Sequence, residues 1–356
     1  MELLAIIKII FLSILSFLVA VLWLPLLVNF LIKNKLGKKI RNNGKTPVFS
    51  ELHKSKAGTP TMGGLIIWVT VVFLIFFIFF LRQITGFEIF TVLNFLVRKE
   101  TFLPLGILIA AALLGLVDDL IDIHKGETGK GGLQIRHRLF FYTLIAAVGA
   151  WWFFYKLEWS NLQVPFLGNF EIGWWYIPIF IFVIVGTAFS VNETDGLDGL
   201  VGGLLIIAFI SFGIIAFVQE KTNLAALCGV ISGGLIAFLW HNIWPAKFFM
   251  GDTGAMGLGV TLGVIAMLTN TVFLLPIICL VFVLESLSVI VQMVSKKIFH
   301  KKIFISTPFH HHLQAKGLPE PKIVMRLWMI GGIAAAFGMM IFLIERLLVY
   351  FFLFSR

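Results

Sequence analysis

The stretch FLPLGILIAAALLGLVDD, residues 102–119, decides how this chain is read. From Phe102 to Val117 it has no polar or charged side chain, and it then ends in Asp118 and Asp119. A bilayer span needs about 20 mostly apolar residues. An Asp at the centre of such a span costs roughly 2.5–3.5 kcal/mol on insertion scales. Carboxylates kept at the edge of an apolar run are therefore functional suspects. Two further stretches share this arrangement: NETDGLDG, residues 192–199, and FMGDTG, residues 249–254. Acids with Asn and Gly beside them at a membrane boundary suggest a divalent cation and a phosphorylated substrate.

Working outward, the whole chain follows the same pattern. It is 59% hydrophobic and only 13% charged, with 38 Phe, which excludes a soluble domain of this length. Mean hydropathy is +1.00. Cys228 and Cys279 lie inside apolar runs, so core or lipid-facing thiols fit better than a disulfide or zinc site. The first apolar run lacks a small-residue cleavage site and is read as a retained helix. No internal repeat is present. The expectation is one all-α, polytopic transmembrane domain over residues 1–356. Ten spans are expected at about 3–32, 60–81, 102–117, 139–155, 174–191, 199–218, 224–240, 254–269, 271–294 and 323–352.

Charge sets the orientation. The loops after the odd-numbered spans, with their flanks, carry 20 of the 28 Lys and Arg. The positive-inside rule makes these loops cytoplasmic and puts both termini outside. All the aspartates and all eight histidines fall on that same side. The cluster Lys33–Arg41 reads as attraction to anionic headgroups, at about 1 kcal/mol per basic residue. Lys54 and Lys56 precede GTPTMGG, residues 58–64, a turn containing Thr61 whose backbone amides could approach an anion.

The motifs carry the chemistry. Asp122 adds a third acid to Asp118 and Asp119, and the Gly-rich loop that follows ends in Arg136, His137 and Arg138. Acid then base across a loop suits a metal-bound diphosphate. Asp198 reads either as the N-cap of the sixth span or as a ligand, whereas capping does not explain Asn192, Glu193 and Asp195. Around residues 242–252, Asn242 offers an amide, Phe249 a stacking face or an interfacial anchor, and Asp252 a hard-oxygen ligand suited to Mg²⁺. His310, His311 and His312 are consecutive, so they cannot all face one ion. Phosphate and sugar contacts are the preferred reading, with one His ligating or protonating.

In order and wording, TPTMGG (59–64), Asp118-Asp119, Asn192 to Gly199, FMGD (249–252) and PFHHH (308–312) resemble the polyprenyl-phosphate N-acetylhexosamine-1-phosphate transferase superfamily. The resemblance runs from about Pro25 to Trp328. The uninterrupted His triplet and LPEPK, residues 318–322, are most similar to its phospho-N-acetylmuramoyl-pentapeptide transferase branch. That resemblance implies transfer of phospho-MurNAc-pentapeptide from UDP-MurNAc-pentapeptide to undecaprenyl phosphate, releasing UMP and forming lipid I in the cytoplasmic (inner) membrane. It implies Mg²⁺ on Asp252, with Asp118, Asp119, Asp195 and His311 in the catalytic centre. It places Lys56, Thr61, Asn192, Asp198, Asn242, Phe249, His310 and His312 near the substrate. It also implies a homodimer among membrane lipids and no nucleic-acid partner. Two departures stand out. Asp122 sits where the family commonly has a Lys, so Arg136, Arg138 or Lys125 must take over that role or it is absent. Glu193 adds an unexpected acid. The competing readings are a sister N-acetylglucosamine-1-phosphate transferase and a transporter. The second predicts polar groups near the midplane, whereas the acids cluster at one interface, with Glu285 in the ninth span the main exception.

Overall fold

The computed structural model describes residues 2–34, 36–37, 56, 58–98, 100–125 and 132–354. Most of the Lys33–Arg41 cluster, Lys54, residues 126–131 and the side chain of Lys125 lie outside the described residues.

The elements run α1 (Glu2–Lys33), α2 (Leu65–Thr85), α3 (Glu88–Leu93), α4 (Phe102–Lys125), α5 (Ile135–Trp151), β1 (Asn161–Val164), β2 (Gly168–Glu171), α6 (Tyr176–Thr194), α7 (Leu200–Val218), α8 (Thr222–Asn242), α9 (Gly251–Leu268), α10 (Leu275–Ile278), α11 (Leu280–Ile298), α12 (Phe309–Ala315) and α13 (Glu320–Phe354). Short π and 3-10 segments, Trp152–Lys156 and Gly173–Trp175, flank the strands.

Helix α9 is the central post. Every residue in it is buried except Asp252. Its sequence explains the tight fit. A Cβ at Gly257 would sit 3.0 Å from Ala112 of α4, one at Gly259 3.0 Å from Ala188 of α6, and one at Gly263 2.5 Å from Thr187. In lipid, where apolar surface alone does not drive helices together, such small residues permit close backbone packing. A second layer of α1, α2, α7 and α8 packs alongside, with Ser16 of α1 donating to the Val230 carbonyl of α8 at 2.7 Å. The outer faces expose Leu, Ile and Phe, as expected for lipid contact.

Two expectations need correction. The chain is not purely helical: β1 and β2 form an antiparallel hairpin pairing Asn161 with Glu171 and Val164 with Gly168. And nine helices among the described residues, not ten, are long and apolar enough to cross a membrane. The run at 271–294 is the one that is not a single continuous helix. Pro276 starts the short α10, Cys279 leaves helical geometry (φ −101°, ψ 30°), and α11 starts afresh. Helix α11 also buries Glu285, Ser286, Ser288, Gln292 and Ser295 on one face. A hydropathy count over the segment sees neither the break nor this polar face.

Candidate active site

The N-terminal ends of α5, α7 and α9, the C-terminal ends of α4 and α6, and the start of α13 meet at one end of the bundle. Arg138, in the first turn of α5, is the hub. Its Nε lies 2.7 Å from Asp118 Oδ2 of α4. Its Nη2 donates to Asp252 Oδ2 at 2.7 Å and its Nη1 to Asn192 Oδ1 at 2.9 Å. Asn192 closes the ring by donating Nδ2 to Asp252 Oδ1 at 2.6 Å. The backbone N–H of Leu133 donates to Asp118 Oδ1 at 2.5 Å. The Arg138–Asp118 contact lacks hydrogen-bond alignment, so charge rather than direction holds that side. Asp118 is wholly buried, while Arg138 and Asp252 are 20% and 17% exposed, so the cluster opens on the Asp252 side. Beside it lies a cavity of 260 Å³, lined by Leu133, Arg138, Tyr142, Phe189, Asn192 and Glu193.

Asp119 has a different task from its neighbour. Its two oxygens accept the backbone N–H groups of Asp252 and Thr253, both at 3.0 Å. These are the otherwise orphaned donors at the start of α9, where the helix dipole favours an anion. Each carboxylate of the pair thus has its own positive partner, which removes their mutual conflict. Gly251 makes this possible. Its φ is 74°, and a Cβ there would sit 2.6 Å from Asp119 Oδ2 and 2.8 Å from Thr61 Oγ1.

The 58–64 turn does not cradle an anion with its amides, as its composition suggested. Thr61 N donates to Leu36 O, Gly63 N to Phe249 O and Gly64 N to Met250 O, while Phe249 N donates to Pro60 O. The turn is zipped to residues 249–250, and the N–H groups of Thr59, Thr61, Gly63 and Gly64 are spent on backbone carbonyls. Thr61 is buried in this seam. Lys56 then bridges Asp198 Oδ1 and Glu320 Oε1, both at 2.6 Å, and its Nζ stands 5.8 Å from the centre of the half-buried Phe249 ring. Asp198 is not the N-cap of α7. Gly199 holds that position with φ 81°, and Asp198 Oδ2 instead accepts the Ala246 N–H at 3.0 Å. Asn242 splints the same loops, accepting from Gly199 N at 3.0 Å and donating to Phe248 O at 2.9 Å.

The His triplet divides. Glu285 Oε2 accepts both the backbone N–H of His310, at 3.2 Å, and its ring Nδ1–H, at 3.0 Å. A carboxylate at Nδ1 sets the tautomer and leaves Nε2 for other work. That Nε2 and the Nε2 of His311 both face Gly196, where a Cβ would lie 2.2 Å and 3.2 Å from them. The Asn192–Gly199 turn, with Asp195 at the C-cap of α6, therefore packs on His310 and His311. His312 lies apart, between the Phe304 and Phe309 rings, and its Nδ1 accepts the Ile305 N–H at 3.2 Å. Partial burial, then the Lys316 ammonium, hold it below the usual imidazole range, which suits an acceptor. Arg136 also lies outside the cluster, exposed and bonded to Gln134 at 3.0 Å.

Two participants were missed as site residues. Glu320 lay in view between Pro319 and Pro321 at a helix start, and Glu285 was noticed only as a misplaced acid. No group of three or more His, Cys, Asp and Glu side chains among the described residues forms a metal-binding arrangement. The donors around Arg138 nevertheless suit a hard dication, because carboxylate and amide oxygens converge there. The geometry agrees: two carboxyl groups, Asp118 and Asp252, share the single Arg138, so a further cation would suit the cluster.

Comparison with known proteins follows the same seam. A model described as phospho-N-acetylmuramoyl-pentapeptide-transferase signature 1 matches residues 56–67, the zipped turn with Lys56 at its start. A glycosyl transferase family 4 model matches residues 101–270, from α4 through α9. The phospho-N-acetylmuramoyl-pentapeptide-transferase of Chloroflexus aggregans is 38% identical over 331 residues, covering 89% of this chain and 84% of its own length. The chain belongs to the phospho-N-acetylmuramoyl-pentapeptide transferase family. A relative of the same name from Listeria monocytogenes is 36% identical, covering 90% of this chain and 94% of its own. Membership in this transferase family makes the chain an enzyme and sets aside the transporter reading. The N-acetylglucosamine-1-phosphate alternative is not favoured, since these relatives carry the muramoyl name.

Proposed function

We propose that the chain transfers phospho-MurNAc-pentapeptide from UDP-MurNAc-pentapeptide to undecaprenyl phosphate, giving lipid I and UMP, the first membrane step of peptidoglycan synthesis. The observation that carries the site assignment is Arg138 held between Asp118 and Asp252 at the mouth of a cavity. Phosphoryl transfer asks a protein mainly for positioning and charge neutralisation. Here an oxygen of the lipid phosphate attacks the phosphorus next to the sugar, and the bond to the UMP oxygen breaks. Asp118 orients the attacking phosphate and takes its proton if it carries one. Arg138 neutralises the transferring group. Phe249 stacks on uracil, and Asn192 and Asp195 border the uridine and sugar. His311 and His310 contact the diphosphate from the Gly196 side. Asp252, with Asn192 and Asp118 near it, would hold Mg²⁺, which supplies charge neutralisation of the diphosphate and of the leaving UMP.

The family and the nine apolar helices support a multi-pass membrane protein. We place it in the cytoplasmic membrane with the aspartate end inside, on the charge asymmetry of its loops. With the broken α10–α11 segment counted as a further crossing, both termini fall outside. A homodimer is the assembly that the family suggests.

The test is UMP release by the purified enzyme given undecaprenyl phosphate and either UDP-MurNAc-pentapeptide or UDP-N-acetylglucosamine. Turnover is expected with the first alone, abolished by EDTA and restored by Mg²⁺. Turnover with UDP-N-acetylglucosamine alone would move the chain to the sister activity, and full activity in EDTA would remove the metal from Asp252.

A further inference from the structure

Helices α7 and α9 both start at the aspartate site, and both end at a second polar cavity. It has a volume of 400 Å³. Their 19 and 18 residues put the two sites about 28 Å apart, at 1.5 Å per residue. That is close to the roughly 30 Å thickness of a bilayer's hydrocarbon core. The second cavity therefore sits at the opposite headgroup layer.

Its wall holds two cations, Lys221 and Arg346, and one acid, Glu158. Among the described residues neither cation has a carboxylate within ion-pair distance. Lys221 donates to Gln219 Oε1 at 3.0 Å and to the Leu268 carbonyl at 2.6 Å, and lies 5.6 Å from the centre of the Trp159 ring. Burial first and Arg346 second push its ammonium down to about 8, against a smaller opposing pull from Glu100. It is short of counter-charge. Arg346 is exposed on α13 between Leu343 and Leu347, which are exposed too, so a guanidinium stands on an otherwise lipid-facing surface. Nothing in the aspartate-site chemistry uses either residue.

A second observation tells what sort of anion fits. The β1–β2 hairpin that supplies part of the wall also exposes Phe166, Leu167 and Phe170, and Trp174 and Trp175 follow it, equally exposed. Aromatic side chains of this kind settle at the boundary between headgroups and acyl chains. A small soluble anion would need no such apron, whereas an anion carrying acyl chains does.

We propose that this cavity binds the phosphate headgroup of an anionic phospholipid from the leaflet opposite the aspartate site. Lys221 and Arg346 take the phosphate, and the hairpin and the lipid-facing side of α13 take the upper acyl chains.

The full-length protein tests this by native mass spectrometry with phosphatidylglycerol or phosphatidylcholine, with glycerol 3-phosphate as soluble competitor. Lys221→Gln and Arg346→Gln are each expected to weaken phosphatidylglycerol binding about fivefold, from the typical contribution of one cation at a membrane surface. Phosphatidylcholine binding stays unchanged. Arg82→Gln, which removes an exposed cation elsewhere, leaves both unchanged, and UMP release in phosphatidylcholine stays at the wild-type rate for all three. Because Arg346 is exposed, its variant keeps the test valid if loss of Lys221 disturbs folding. Equal phosphatidylglycerol affinity in wild type and Arg346→Gln overturns the proposal. So does an equal loss in Arg82→Gln, which would mean diffuse surface charge. Displacement of the lipid by equimolar glycerol 3-phosphate would make this a site for free anions and refute the lipid assignment.

Discussion

Arg138 turns three nitrogens toward three helices, donating to Asp252 and Asn192 and ion-pairing with Asp118, a task that the single ammonium of a lysine performs less well. The residues alone favoured Arg136 or Arg138 over Lys125 as heir to the lysine missing at Asp122, without choosing between the two arginines. A difference of two positions in the first turn of α5 separates a guanidinium inside the cluster from one in solvent, and only the folded geometry reveals it. Arg138→Ala should therefore cut UMP release at least about 100-fold, in line with removing a charge-stabilising donor. Arg136→Ala should stay near wild type. Partial recovery on adding Asp122→Lys to Arg138→Ala would tie the two positions together functionally, while wild-type turnover in Arg138→Ala would remove it from the centre. Phe249 gives a second test. Its ring edges the Lys56 clasp, so Phe249→Ala should raise KM for the UDP-sugar by roughly 5- to 150-fold, the equivalent of about 1–3 kcal/mol of stacking. KM for undecaprenyl phosphate should not follow. Parallel rises in both would indicate a packing defect.

Among the elements, α4 and α9 were legible from apolar runs ending at acids, and the pairing of those acids with particular partners was not. Asp118 and Asp119 are adjacent in sequence and read alike, yet one meets Arg138 and the other caps α9. The amides of residues 61–64 were equally ambiguous, because donors that could bind an anion are also donors that can bind a backbone. The split of 271–294 escaped because hydropathy averages over a break. The division of labour at the aspartates can be measured. Asp119→Asn keeps one acceptor and leaves a helix-start N–H without its carboxylate, a loss of about 1–3 kcal/mol for a buried donor. Its melting temperature should fall with its activity. Asp118→Asn should lose turnover by at least about 100-fold at an unchanged melting temperature. Equal melting temperatures in both variants would argue against the capping role.

For the whole molecule, composition alone made the membrane reading unavoidable, and the loop charges carry the proposed orientation. The hairpin between α5 and α6 was hidden because strands of four residues leave almost no periodic signal. Orientation can be checked directly, since both native cysteines are buried, and a variant without them serves as the background. An impermeant maleimide added outside intact cells should label Asn169→Cys in the hairpin and miss Lys247→Cys and Lys302→Cys. Labelling of both lysine positions from outside would invert the topology.

The Lys56 clasp has a consequence for biogenesis. It ties residues 264 positions apart in the chain. A nascent polypeptide that has inserted α1 through α11 already owns every aspartate of the cluster, but Lys56 still lacks one of its two carboxylates. Glu320 arrives only with α13, so the clasp cannot close before that helix has been made. A product that lacks α13 therefore lacks the closed clasp, and should release UMP more slowly than the full chain in the same assay.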